Sequence, residues 1–157
     1  MYLFRLYNEV ELDWIISEGP CYFNSHLLVF HRLAEREDPM LAPLNNLDLW
    51  VLINGLPVGF ILERVTRQLG NFVGTFIEYD VDAVFLRYSG NIRVRVSIDV
   101  RKALKRKKKL AKPSGSNTNA MFQYEKLKLS CFLYEKLGHG ESFCPLRVLQ
   151  EKKILIT

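Results

Sequence analysis

Alternating hydrophobic and polar positions are clearest in Ile92, Val94, Val96, Ile98 and Val100, which are interleaved with Arg93, Arg95, Ser97 and Asp99. A period of two predicts a strand with one face in a core and one in water. The segment LDLWVLI, residues 47–53, is apolar enough for a buried strand that ends at Gly55-Leu56-Pro57. Ile61, Leu62, Val65 and Leu69 fall at helical spacing, with Gly70 as the stop. FVGTFIEYDV reads as the next strand. Near the start, YLFRL is a short strand candidate, and Asn8 followed by Glu11 resembles a capping box opening a helix through Trp14, Ile15 and Ile16, ended by Gly19 and Pro20. CYFNSHLLVFHRL carries a turn signal at Asn24 and Ser25 and reads as one bent strand or two short ones. Residues 39–43, PMLAP, read as a loop. Strands mixed with two amphipathic helices predict an α+β fold, a mostly antiparallel sheet with helices on one face.

Composition changes this picture little. The chain has 157 residues, 48% hydrophobic and 25% charged, the balance of one globular domain with appendages. The longest apolar candidate for a membrane span, Met40 to Leu62, is broken by Asn45, Asn46, Asp48 and Asn54. MYLFRLYNEVELD reaches acidic residues too soon for a signal peptide, and three cysteines argue against a disulfide framework. The expected location is intracellular, in nucleus or cytoplasm. His26 and His31 read as strand-surface or core residues, and Cys21 as a core cysteine beside Tyr22 and Phe23.

Charge changes it more. The net charge is +5, but residues 1–100 carry −5, residues 101–112 carry +8 with no acid, and residues 113–157 carry +2. The basicity is therefore concentrated in RKALKRKKKLAK. Arg101, Lys102, Lys105, Arg106, Lys107, Lys108, Lys109 and Lys112 suit phosphate contacts without sequence preference, and Arg93 and Arg95 on the wet strand face would extend the patch. A nuclear-import cluster or a simply solvated segment are the competing readings. PSGSNTNA, residues 113–120, has linker composition.

The tail, LSCFLYEKLGHGESFCPLR, places Cys131, Tyr134, His139 and Cys144 at x2, x4 and x4 spacings. Two thiolates and an imidazole are zinc donors; a phenol at the fourth position is a poor one. Phe132 is a candidate for stacking an unpaired base, with Lys136, Lys126 and Lys128 nearby, or else for packing the module's own interior.

Four pieces, GPCYFNSHLLVFHR, LDLWVLINGLP, VRVSIDVRKALKR and YEKLKLSCFLYEKLGHGESFC, together resemble a plant retroelement family. In it, a gag-like domain of unknown function precedes a zinc knuckle of pattern Cys-x2-Cys-x4-His-x4-Cys. Here Tyr134 stands at the second ligand position and Glu135 replaces the usual glycine, so the resemblance implies a degenerate knuckle whose zinc is weak or lost. Family members begin with a further strand and helix, which implies a sheet truncated at its N-terminus. The expected organisation is a gag-like α+β domain at 1–100, a basic segment and linker at 101–123, a degenerate knuckle at 124–149 and a tail at 150–157.

The resemblance implies a non-catalytic protein of retrotransposon origin that binds RNA or single-stranded DNA. The alternative is a protein-interaction scaffold or inert remnant without metal or nucleic-acid binding. Self-association is an open role for the body, and no membrane or small-molecule substrate is expected. The sequence contains no GxxxxGK[ST], GxSxG or HExxH motif and no acidic cluster suited to magnesium.

Overall fold

A computed structural model of the chain describes residues 3–24, 26–82 and 89–127. Helix α1, Glu9–Ser17, opens at Asn8, whose side chain accepts a hydrogen bond from the Val10 backbone N–H, as the capping pattern predicts. Residues 3–6 are not a strand, which corrects the reading of YLFRL: no strand among the described residues pairs with them. The aromatic run that follows forms a two-stranded antiparallel hairpin, β1 Cys21–Phe23 and β2 His26–Leu28.

The main sheet has five strands: β3 Asn46–Asn54, β4 Thr75–Tyr79, β5 Ile92–Asp99, β6 Lys107–Ala111 and β7 Asn117–Tyr124. Their order is β4-β5-β3-β7-β6, and every ladder is antiparallel. The fold is α+β. Register fixes the two faces, because Leu47, Leu49, Val51 and Ile53 pair with Ile98, Val96, Val94 and Ile92. All eight side chains are buried, and Ala120 and Phe122 of β7 join them. Burying each large aliphatic side chain contributes about 1.5–3 kcal/mol.

Helix α2, Glu63–Val73, covers this apolar face, with Leu69 buried against the sheet and Val65, Phe72 and Val73 packed around it. It begins two residues after Ile61 and ends at Gly74, so Ile61 and Leu62 lead into the helix and Gly70 lies within it. Gly70 is an interior glycine for a packing reason: a Cβ there would stand 2.6 Å from Cδ2 of Phe76 on β4. The other face meets α1, where Arg95 donates to the Ile16 carbonyl at 3.2 Å, a cation at a helix C-terminus.

Composition marks residues 101–123 as a solvated basic segment and linker outside a body ending at 100. The structure corrects this. Residues 107–111 and 117–124 are paired strands, and β7 is bonded to β3 in the middle of the sheet. Pro113, Ser114 and Gly115 form the hairpin loop, closed by Gly115 N–H to Lys112 O at 3.0 Å and Lys112 N–H to Ser116 O at 2.9 Å. Gly115 supplies the positive φ of 83° that ends such a loop. The polar stretch hid the strand because only alternate residues of β7, Ala120 and Phe122, enter the core.

Candidate nucleic-acid interface

Ten of the twelve sequence-predicted nucleic-acid residues are described, and their surroundings differ. Arg93 is held by Glu125 through two hydrogen bonds of 2.8 Å and by Asp80 at 3.0 Å, and its guanidinium lies 4.2 Å above the Trp50 ring. The Glu125 carboxylate, then Asp80, raises its pKa against the opposing effect of burial. Arg95 pairs with Glu78 at 3.2 Å and keeps only 14% of its side chain exposed. Arg101 closes on Asp99, Nη2 to Oδ2 at 2.7 Å, and its guanidinium and backbone N–H hold the Asp99 carboxyl well below the usual range. Arg93 and Arg95, read as an extension of the basic patch, and Arg101 of the run itself are thus each ion-paired with a carboxylate. A strand face read as wet is instead a cross-strand ion-pair surface.

The cations of β6 and its flanks differ. Lys102, Lys105, Lys107, Lys108, Lys109 and Lys112 pair with no carboxylate among the described residues. Strand alternation sends Lys107 and Lys109 to one side of the sheet, exposed, and half-buried Lys108 and Leu110 to the other. On the α2 side, Lys108 Nζ sits 4.3 Å and Lys105 Nζ 5.4 Å from the Phe72 ring centroid. Arg106 is half-buried, and its carbonyl accepts the Phe122 N–H at 2.8 Å. Lysine on an edge strand also discourages pairing with another sheet. Lys107, Lys108 and Lys109 therefore stand on a paired strand, their charges divided between the two sides of the sheet.

Lys126 is withdrawn as well: its Nζ bonds the Glu18 carboxylate at 2.8 Å and the Glu18 carbonyl at 2.7 Å. Phe72, Trp50 and Glu125 are absent from the sequence-based set. Helical spacing Val65, Leu69, Phe72 would have placed Phe72 on α2 facing the sheet, whereas the apolar run FVGTFIEYDV draws it into a strand. Nothing in the local sequence around Glu125 indicates its partner 32 residues earlier.

The metal candidates Cys131, His139 and Cys144, with Tyr134 at the fourth position, lie outside the described residues, as do Phe132, Lys128 and Lys136. Among the described residues no group of three or more His, Cys, Asp or Glu could hold a metal ion. The donor types of the tail suit zinc at three positions of four. His26 is exposed on β2, His31 bonds Glu37 at 2.8 Å, and Cys21 is half-buried. No helix among the described residues is long and apolar enough to cross a membrane.

Comparison with known proteins agrees with part of this. The chain is 22% identical over 141 residues to "Uncharacterized protein At4g02000" of Arabidopsis thaliana, covering 90% of this chain and 44% of that protein. It therefore spans less than half the length of that relative. No solved structure matches. Residues 98–146, from the end of β5 through β6, β7 and all three zinc-type donors, match the zinc knuckle family.

Proposed function

We propose that the protein is a non-catalytic, nucleic-acid-binding protein of retroelement origin, holding RNA or single-stranded DNA along strand β6 and the knuckle stretch that follows it. The observation that carries this reading is the row of lysines on β6 and its flanks, unneutralised among the described residues while the arginines of β5 are paired. Phosphates that meet such a row release condensed counterions, which drives binding without reading bases. Cys131, His139 and Cys144 would hold zinc in the tail. Bound zinc would supply folding energy to a module too small for a core of its own, about 10 kcal/mol or more in zinc-finger peptides, less where a ligand is missing. Phe132 and Lys136 are the tail's contacts with base and phosphate. An intracellular site, nucleus or cytoplasm, goes with this role.

Binding of the full chain to a labelled single-stranded oligonucleotide over a salt series tests the reading. Log K should fall with log salt at roughly 0.7 per phosphate contact, and Lys107→Gln with Lys109→Gln should lower the slope by about 1.4. Absence of binding at low salt would overturn it.

A further inference from the structure

Lys105 and Lys108 converge on one aromatic ring. Their ammonium groups lie 5.4 and 4.3 Å from the Phe72 centroid, at the C-terminal end of α2. The ring is half-buried and anchored by Phe122, with centroids 5.8 Å apart and planes tilted by 37°. The backbone of Lys105 is held in place, because the Tyr124 hydroxyl donates to its carbonyl at 2.6 Å. Two like charges thus share a ring with no carboxylate among the described residues between them, an arrangement that an arriving anion relieves. The ring offers a flat apolar face and the lysines offer mobile cations, the two components that hold a nucleotide of a single strand.

Resting on the nucleic-acid reading above, we infer that Phe72, Lys105 and Lys108 form a stacking subsite for one unpaired base. The base lies on Phe72, and the two ammonium groups leave the ring for the phosphates on either side of it. A duplex cannot use this site, since its bases are stacked on each other and show only edges. An acidic peptide would use the lysines and leave the ring unmatched.

Fluorescence titration of the full chain with oligothymidylate, and with a duplex of equal length, tests this. Phe72→Leu keeps an apolar contact to Phe122 and should weaken single-strand binding roughly tenfold, leave the salt slope unchanged and spare the duplex. Lys105→Gln with Lys108→Gln should lower the single-strand slope by about 1.4. Phe72→Trp should retain binding and add an emission quench, absent from the wild type, that saturates with the oligonucleotide; this variant decides the matter if Phe72→Leu fails to fold. Binding by wild type with an indifferent Phe72→Leu, or no added quench in Phe72→Trp, overturns the subsite and leaves the broader function standing. Displacement by polyglutamate as effective as by oligothymidylate at equal charge would make it an acidic-peptide site. A wild-type chain that binds no single strand at low salt overturns both.

Discussion

Arg93 and Glu125 face each other across the sheet in a two-pronged ion pair, Nε to Oε1 and Nη2 to Oε2, both at 2.8 Å. Glu125 immediately follows β7, so the pair ties the exit of the chain from the sheet to β5. Asp80, just past β4, takes a third position on the same guanidinium. Removing the cation strands two half-buried carboxylates. Arg93→Met should lower stability by about 2 kcal/mol, read as a shifted urea midpoint at unchanged m-value. It should leave oligonucleotide affinity within about twofold, because a neutralised arginine has little to offer a phosphate; a large affinity loss in the folded variant would restore Arg93 to the interface.

Acid should loosen the molecule through three carboxylates, Glu18 exposed and Glu37 and Asp99 half-buried. Lys126 holds Glu18, and the Ala34 N–H together with His31 holds Glu37, below the ordinary value of 4.5; Arg101 does the same for Asp99 below 3.8. Each folded value is depressed, so the stability they contribute is fully present above the unfolded values and is lost as pH falls through the folded ones. The urea midpoint should hold steady from about pH 7 to 5 and decline below about 4.5. Glu18→Gln should make the decline shallower, and a flat acid limb in the wild type would count against these pairs.

Gly90 cannot be replaced cheaply. Its φ is +75°, and a Cβ would stand 2.6 Å from the Leu56 carbonyl oxygen, while its own carbonyl accepts the Leu56 N–H at 3.0 Å. Backbone strain and a clash with backbone act together. Gly90→Ala should cost about 2 kcal/mol or more, measured by thermal unfolding, and a change under about 0.5 kcal/mol would show that this turn relaxes freely.

Phe122 tests whether the basic hairpin belongs to the core. It is 6% exposed, pairs with Ile53 in register and meets Phe72. Phe122→Ala should destabilise the whole domain by about 4 kcal/mol. Were residues 101–127 an appendage, amide exchange in β3 and β5 would be unaffected; here protection in both strands should drop together.

Tyr134→Cys should convert a three-donor tail into a four-donor one, since the spacings to Cys131, His139 and Cys144 are already those of a knuckle. The full chain carrying it should bind cobalt with strong visible absorption from tetrahedral thiolate coordination and should hold zinc far more tightly than the native chain. Equal cobalt spectra and affinity for both would show that the phenol position is no handicap.

What was legible in the sequence follows from how local each signal is. The alternation of Ile92 to Ile98 placed β5 and its core face correctly, and Asn8 marked the start of α1, because both depend on neighbours within a few residues. The positive run was visible as composition but its form was not. Lysine has modest strand preference, and β6 exists through its ladder to β7, a partner supplied from Asn117 onward. The fate of Arg93 and Arg95 was equally hidden, since Asp80, Glu125 and Glu78 reach them only after the strands align. Phe72 escaped because an apolar run spanning a helix end and a strand start has no single period.

The hairpin also bears on how this protein divides into movable parts. The stretch matching the zinc knuckle family starts at residue 98, inside β5, yet its β7 is zipped to Val51, Leu52, Ile53 and Asn54 of β3. Transplanting residues 98–146 into a foreign host would carry Ala120 and Phe122 away from the apolar surface that shelters them and leave β3 with a raw edge. The unit of sequence kinship and the unit of cooperative folding therefore have different borders. Any exchange that respects the first must cut through the second.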